Sequence, residues 1–166
     1  YIHYLQLFLA RKKTEGKSDK TIEQYKLHLT HMLQYLNMPV EKITENDLFV
    51  YLAKYKKDKN VSNVYLDNIR LVFSSFFGWL NAKGYISKNP TAGLEPIKVE
   101  KKIKQPFSDE ELEKLRRICE QERDLALIEF LYSTGVRVSE LVALNRKEID
   151  FYGKNVVVYG KGSKER

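Results

Sequence analysis

The segment LALIEFLYSTGVRVSEL (125–141) determines how the second half of the chain is organised. Its apolar residues follow a helical pattern up to Thr134, Gly135 is predicted to end that helix, and a new helical pattern begins at Val138. Arg137 lies at the junction, between two valines. We expect packed helices on both sides to hold this side chain, at a helix start that favours an anion.

An arginine in this position is suited to binding a phosphate, because its planar guanidinium can donate two parallel hydrogen bonds. Glu140 follows three residues later on the same helical face and could orient the guanidinium. The spacing leaves two interpretations open. Arg137 and Glu140 form either a ligand-binding pair or a structural ion pair that binds nothing.

A second candidate segment, GKGSKER (160–166), follows a predicted β-hairpin in EIDFYGKNVVVYG (148–160). Lys161 lies between two glycines, which allow a tight turn and the close approach of a partner. Its ammonium group could donate a proton to a leaving alkoxide or could simply be a solvated charge. The segment is not a phosphate-binding P-loop, because that motif requires a different spacing and a Ser or Thr after the lysine.

The first half of the chain predicts four amphipathic helices joined by short loops, and therefore a compact bundle in residues 1–93. The first helix is expected over Ile2–Lys13. Ser18, Thr44 and Ser62 are the predicted N-caps of the next three, and Gly84 is the predicted C′ residue of the last.

A basic linker is predicted over residues 94–106, because NPTAGLEPIKVEKKIKQP (89–106) combines prolines and lysines without a sustained period. A second domain is predicted over residues 107–166. It opens with a capping box formed by Ser108 and Glu111.

Charge and composition restrict the functional classes. The chain has a net charge of +7, and residues 1–98 carry 15 Lys and Arg against 9 Asp and Glu, whereas residues 99–166 carry 14 against 13. The basic first half favours a polyanionic partner such as nucleic acid, although a solvated basic surface would give the same count. A single cysteine, no signal-like segment and no apolar stretch long enough to span a bilayer predict a cytoplasmic protein without a membrane partner.

YSTGVRVSEL and GKGSKER, placed so that 24 positions separate Arg137 from Lys161, resemble the tyrosine recombinases of the phage integrase family, most closely the Xer-type branch. The resemblance extends through the bundle, GYISKNPTAGLE (84–95) and FSDEEL (107–112). It implies a mainly α fold. A four-helix core-binding (SAM-like) bundle would precede a helical catalytic domain with a small antiparallel β-hairpin, the latter truncated in this chain.

The resemblance also assigns roles to individual residues. Arg137 would be the first catalytic arginine, which clamps the scissile phosphate, Lys161 would protonate the leaving 5′-oxygen, and Glu140 would be the acidic partner that orients Arg137. Two helices of the bundle would enter the major groove, and the linker would contact phosphates. The implied DNA-contacting residues are Lys20, Thr21, Asn63 and Arg70 in the bundle, Lys98, Lys101, Lys102 and Lys104 in the linker, and Lys164 and Arg166 at the end of the chain.

The reaction implied by the resemblance is strand cleavage by a tyrosine, giving a 3′-phosphotyrosine, followed by religation. It uses no metal and no nucleotide cofactor, and the family acts as a homo- or hetero-tetramer on two double-stranded DNA sites. The later family motifs, including His-x-x-Arg and the nucleophilic tyrosine, have no counterpart in these 166 residues, so we expect the chain alone not to cut DNA. Three alternatives remain: an inactive DNA-binding regulator, a relative of type IB topoisomerases, and a protein-interaction bundle.

Overall fold

The computed structural model describes residues 2–100, 103, 105–158 and 160. The chain divides into two compact units, Tyr1–Lys102 and Ile103–Arg166. The first is a bundle of helices and the second combines helices with one small antiparallel sheet, so the predicted mainly α fold is confirmed. The finer domain boundaries, with a linker over 94–106, stay a prediction.

Four α-helices form the first unit, and their starts follow from local capping. Ser18 and Ser62 accept hydrogen bonds from backbone N–H groups of the second and fourth helices, and Thr44 forms a capping box at the third. The three predicted N-caps are therefore confirmed. The helices are α1 (Ile2–Thr14), α2 (Asp19–Leu36), α3 (Glu45–Lys59) and α4 (Asn63–Ala82), with a 3-10 turn at Val40–Lys42 between α2 and α3.

The core of this unit is aromatic. Phe8 from α1 and Phe73, Phe76 and Phe77 from α4 are fully buried, and Phe8 meets the ring of Phe76 edge-on at 5.2 Å between centroids. Eighteen apolar side chains form one continuous buried cluster. Burial of a large apolar side chain contributes about 1.5–3 kcal/mol, so this cluster supplies most of the driving force for folding of the bundle.

The described residues of the second unit form three helices and a hairpin. They are α5 (Asp109–Ile118), α6 (Glu122–Thr134), α7 (Val138–Ala143), a 3-10 turn at Arg146–Glu148, β1 (Ile149–Asp150) and β2 (Asn155–Val156). The strands pair antiparallel, with Ile149 opposite Val156. The hairpin was predicted, but its regular pairing is only two residues long on each strand.

Burial in the second unit is sparse. Among its described residues, only Leu112, Val136 and Val158 are buried apolar side chains. Helix α6 has no fully buried residue, although its sequence is strongly apolar. Within the described part of the chain, no helix has both the length and the apolar character required to span a bilayer.

Two glycines of the bundle should respond to substitution in opposite directions. Gly84 follows α4 with φ of +74°, and the Tyr85 N–H reaches back to the Leu80 carbonyl at 2.9 Å, as in a Schellman motif. Gly78 lies inside α4, and an added Cβ there would meet nothing within 4 Å. Gly84→Ala should destabilise the bundle by about 1–2 kcal/mol because of the left-handed backbone. Gly78→Ala should stabilise it by about 0.5–1 kcal/mol.

Urea unfolding followed by far-UV circular dichroism measures both effects. A stabilising Gly84→Ala substitution would contradict the observed left-handed C′ residue.

His28 should make the stability of the bundle depend on pH. Its side chain is buried, its Nδ1 has no hydrogen-bond partner among the described residues, and its ring packs against those of Tyr55 and Tyr65. Burial, with a smaller effect from His31, lowers the pKa of His28 below its ordinary value of 6.5. The unfolded chain therefore takes up this proton first as the pH falls, so stability is full above 6.5 and decreases below it.

The urea concentration at the midpoint of unfolding should therefore be lower at pH 5.5 than at pH 7.5. His28→Phe should reduce this difference. His31→Gln is the control and should retain most of the pH dependence. Equal pH dependence in the protein and in His28→Phe would show that His28 is not responsible.

Candidate functional site

The junction between α6 and α7 places Arg137 at the edge of the second unit. Gly135 ends α6 with φ of +61°, and its N–H donates to the Leu131 carbonyl at 3.0 Å. Arg137 is then the extended N-cap residue of α7, with ψ of 151°. Val136 points inward and is buried, whereas Val138 is exposed. The predicted helix end at Gly135 and the restart at Val138 are both confirmed.

Glu140 holds both the backbone and the side chain of Arg137. The Arg137 N–H donates to Oε2 of Glu140 at 2.8 Å, and Nη1 of the guanidinium donates to Oε1 at 2.6 Å. A Glu at this position of a helix commonly reaches back to the N-cap N–H. The ion pair adds a second restraint, so the i,i+3 contact predicted from the sequence is present.

The burial of this pair differs from the expectation. The sequence predicted that apolar packing on both sides would hold Arg137, yet its side chain is 62% exposed, whereas that of Glu140 is 6% exposed. The N-cap residue is extended, so its side chain leaves the helix towards solvent while the carboxylate folds back under it. The guanidinium is therefore fixed by a buried charge rather than by apolar contacts, and it remains accessible to a ligand.

A cavity of about 280 Å³ adjoins the pair. Arg137 and Glu140 form one side, and Ser139, Ala143, Leu144, Glu148, Val157, Val158 and Gly160 complete the lining. Helix α7, the 3-10 turn and the chain after β2 thus surround one small open space. The sequence analysis did not predict that Ser139 and Glu148 would line this cavity, because their positions depend on how the hairpin packs on α7.

Lys161, the second predicted catalytic residue, lies outside the described residues, as do Lys164 and Arg166. Gly160, which precedes Lys161 in the chain, lines the same cavity as Arg137. The role predicted for Lys161 remains a prediction.

Lys20 and Thr21 lie in the first turn of α2, and both side chains are exposed. The Thr21 N–H donates to the Ser18 hydroxyl at 3.4 Å, and the two hydroxyls are 2.9 Å apart. Capping therefore fixes the backbone at this helix start and leaves Lys20 pointing to solvent. A DNA contact by these two residues is a prediction that fits their exposure.

Arg70 and Asn63 are the other two bundle residues predicted to contact DNA. Both form hydrogen bonds within the protein. Arg70 is only 11% exposed, and its Nε donates to Oδ1 of Asp67 at 2.7 Å. Asn63 accepts from the Lys56 ammonium at 2.7 Å and donates to the Lys98 carbonyl at 2.8 Å. Their proposed DNA contacts would therefore have to coexist with these internal hydrogen bonds.

Lys98 is exposed, as a phosphate contact requires. The other linker lysines, Lys101, Lys102 and Lys104, lie outside the described residues.

The sequence did not single out Asp67, whose carboxylate accepts from both Arg70 and the Ile97 N–H, the latter at 2.9 Å. The hydrogen bond from Arg70, aided by that from Ile97, lowers the pKa of Asp67 below its ordinary value. Its i,i+3 spacing to Arg70 was the one signal available.

No group of three or more His, Cys, Asp or Glu residues within the described ranges could hold a metal ion. The candidate site consists of the exposed Arg137 guanidinium and its Glu140 carboxylate partner, and a guanidinium is a group that can bind an anion.

The chain belongs to the phage integrase family. Residues 4–86 match the "Phage integrase, N-terminal SAM-like domain" and residues 105–166 match the "Phage integrase family". The chain is 33% identical over 174 residues to tyrosine recombinase XerC of Staphylococcus aureus (strain bovine RF122 / ET3-1), covering 99% of this chain and 58% of the relative. It is 31% identical over 175 residues to tyrosine recombinase XerD of Oceanobacillus iheyensis, covering 100% of this chain and 57% of the relative.

The resemblance to Xer-type tyrosine recombinases is therefore confirmed, and the chain spans somewhat more than half the length of these relatives.

Solved structures share the fold. The chain matches a lambda integrase(75–356) dimer bound to a COC′ core site with a TM-score of 0.80 at 20% identity, over 99% of this chain and 60% of the other. A lambda integrase tetramer bound to a Holliday junction gives a TM-score of 0.80 at 19% identity, over 99% and 48%.

Charge reversal at Lys20 tests the predicted contact of α2 with DNA. Lys20→Glu should weaken binding of the chain to duplex DNA and lower the slope of log affinity against log salt by about 1 or more, because a phosphate contact is lost. Lys83→Glu, at the end of α4, makes the same charge change outside the predicted contacts and should have a smaller effect. A fluorescence-anisotropy titration at several salt concentrations measures both. Equal losses would show that only net charge matters.

Proposed function

We propose that the intact protein is a site-specific DNA recombinase that binds duplex DNA, cuts a strand and joins it to another. The observation that carries the proposal is the exposed Arg137 guanidinium held by the buried Glu140 carboxylate, in a chain of the phage integrase family. The similarity to tyrosine recombinases XerC and XerD supports it. The excess of basic residues in the first unit fits a DNA partner.

In the proposed reaction, Arg137 binds the non-bridging oxygens of the scissile phosphate. Its remaining N–H groups make no hydrogen bond to described residues and can approach the phosphate as negative charge increases on it. Glu140 already orients the guanidinium, so Arg137 does not have to reorganise during the reaction. This preorganisation stabilises the transition state more than the bound substrate.

A tyrosine from outside these 166 residues, having lost its phenolic proton to a base or to solvent, would attack the phosphorus. The bond between phosphorus and the 5′-oxygen then breaks, a bond to the tyrosine oxygen forms, and Lys161 gives its proton to the leaving oxygen. Attack by the 5′-hydroxyl of another strand reverses these steps and releases the tyrosine. The reaction conserves the phosphodiester bond energy in the phosphotyrosine, so the proposal requires no metal and no nucleotide cofactor.

The proposal extends to partners and location. The intact protein would act on two double-stranded DNA sites as a homo- or hetero-tetramer, and the solved lambda integrase tetramer on a Holliday junction supports that assembly. It would work in the cytoplasm, in keeping with its single cysteine. The 166 residues alone would bind DNA without cutting it.

Substitutions at Arg137 and Lys161 separate a recombinase from a DNA-binding regulator. In a longer protein that carries the nucleophilic tyrosine, Arg137→Ala should slow strand cleavage by roughly 10²–10³-fold, the scale for losing one donor that stabilises charge in the transition state. DNA affinity should change much less, since one phosphate contact is a small part of a large interface. Lys161→Ala should also slow cleavage, and a better leaving group at the 5′ position should restore its rate but not that of Arg137→Ala.

Single-turnover cleavage and anisotropy binding measure the two quantities. Equal losses of cleavage and binding in both variants would mean that these residues are ordinary DNA contacts. A longer protein that binds DNA but never forms a covalent tyrosine adduct would be a regulator.

A further inference from the structure

The five residues 94–98 that follow the bundle lie against it rather than leaving it directly. Leu94 is buried and belongs to the cluster of eighteen apolar side chains, and Ile97 is partly buried against that cluster. The Lys98 side chain is exposed at the end of this stretch.

Two hydrogen bonds from α4 hold this stretch. Oδ1 of Asp67 accepts from the Ile97 N–H at 2.9 Å, and the Asn63 amide donates to the Lys98 carbonyl at 2.8 Å. Each acceptor or donor is itself fixed. Arg70 donates to the same oxygen of Asp67 at 2.7 Å, and the Lys56 ammonium donates to the Asn63 carbonyl oxygen at 2.7 Å.

Apolar packing under the stretch is incomplete. A cavity of about 500 Å³ lies between it and the bundle, bordered by Phe49, Leu52 and Leu66 on one side and by Leu94 and Ile97 on the other. Atoms that face such a space lose the dispersion contacts that a close-packed interior provides. The hydrogen bonds of Asp67 and Asn63 therefore act together with the packing of Leu94 and Ile97 to hold residues 94–98 in place.

We infer that Asp67 and Asn63 are positioning residues for DNA binding, which fix Ile97 and Lys98 on α4 so that the Lys98 ammonium meets a DNA phosphate from a set place on the bundle. The inference rests on the proposed function, since it presupposes a DNA ligand. A lysine whose backbone is already ordered loses less conformational entropy on binding than one in a free chain. Asp67 would thus influence DNA affinity without touching DNA.

A double-mutant cycle between Asp67 and Lys98 tests the inference in the 166-residue chain. Lys98→Ala should reduce the salt slope of DNA binding by about 1, the value for one lost phosphate contact. Asp67→Ala should reduce it by a similar amount, because the lysine is no longer held in place. The double variant should bind like either single variant, since both remove the same contact.

Asp47→Ala is the matched control. Its carboxylate also accepts a backbone N–H, that of Thr44 at 2.9 Å, and it lies at the start of α3. This variant should lose stability through the lost capping box but keep the salt slope of the unmodified chain. Amide hydrogen exchange supplies a second measurement. Asp67→Ala should accelerate exchange at Ile97, and Asp47→Ala should accelerate it at Thr44 but not at Ile97.

Asp67→Asn keeps the size of the side chain and serves if Asp67→Ala does not fold. It should accelerate Ile97 exchange and lower the salt slope in part. Additive effects of Asp67 and Lys98, or equal losses of affinity in the Asp47 and Asp67 variants, would overturn the inference and leave the proposed function intact. Salt-independent or absent DNA binding by the unmodified chain would instead overturn the proposed function.

Discussion

One buried carboxylate, that of Glu140, fixes Arg137 and leaves its side chain exposed. Glu140 is almost completely buried, yet it receives hydrogen bonds from the backbone and the side chain of Arg137. A buried charge is costly unless it is paired, and Arg137 donates a hydrogen bond to each carboxylate oxygen of Glu140. The chain order of the two residues, three positions apart at a helix start, makes this arrangement local and therefore robust.

The first unit uses the same device for a different purpose. Asp67 is also a carboxylate on a helix that binds an arginine three residues away and a backbone N–H, here that of Ile97. In the second unit the carboxylate orients the arginine. In the bundle the arginine orients the carboxylate, which then holds the main chain. Similar i,i+3 pairs in the sequence therefore differ in function according to which partner is buried and what third group they reach.

Local signals allowed much of this structure to be predicted. Capping residues such as Thr44 and Ser108 act within three positions of themselves, so the helix starts could be predicted from the sequence. The contact between Arg137 and Glu140 was predictable for the same reason. The hydrogen bond from the Ile97 N–H to Asp67 was not predictable, because the two residues are 30 positions apart in the sequence. The sequence also could not predict which side chains near Arg137 turn inward, because the extended backbone of the helix junction decides this.

The unequal burial in the two units has a consequence for synthesis on the ribosome. The first unit buries eighteen apolar side chains in one cluster, and it is complete once the chain up to Lys102 has emerged. It can thus fold while translation of the following residues continues. The second unit, with three buried apolar side chains among its described residues, gains little from folding at that stage. A nascent chain would then carry a folded basic bundle before the second unit, which contains Arg137, has folded.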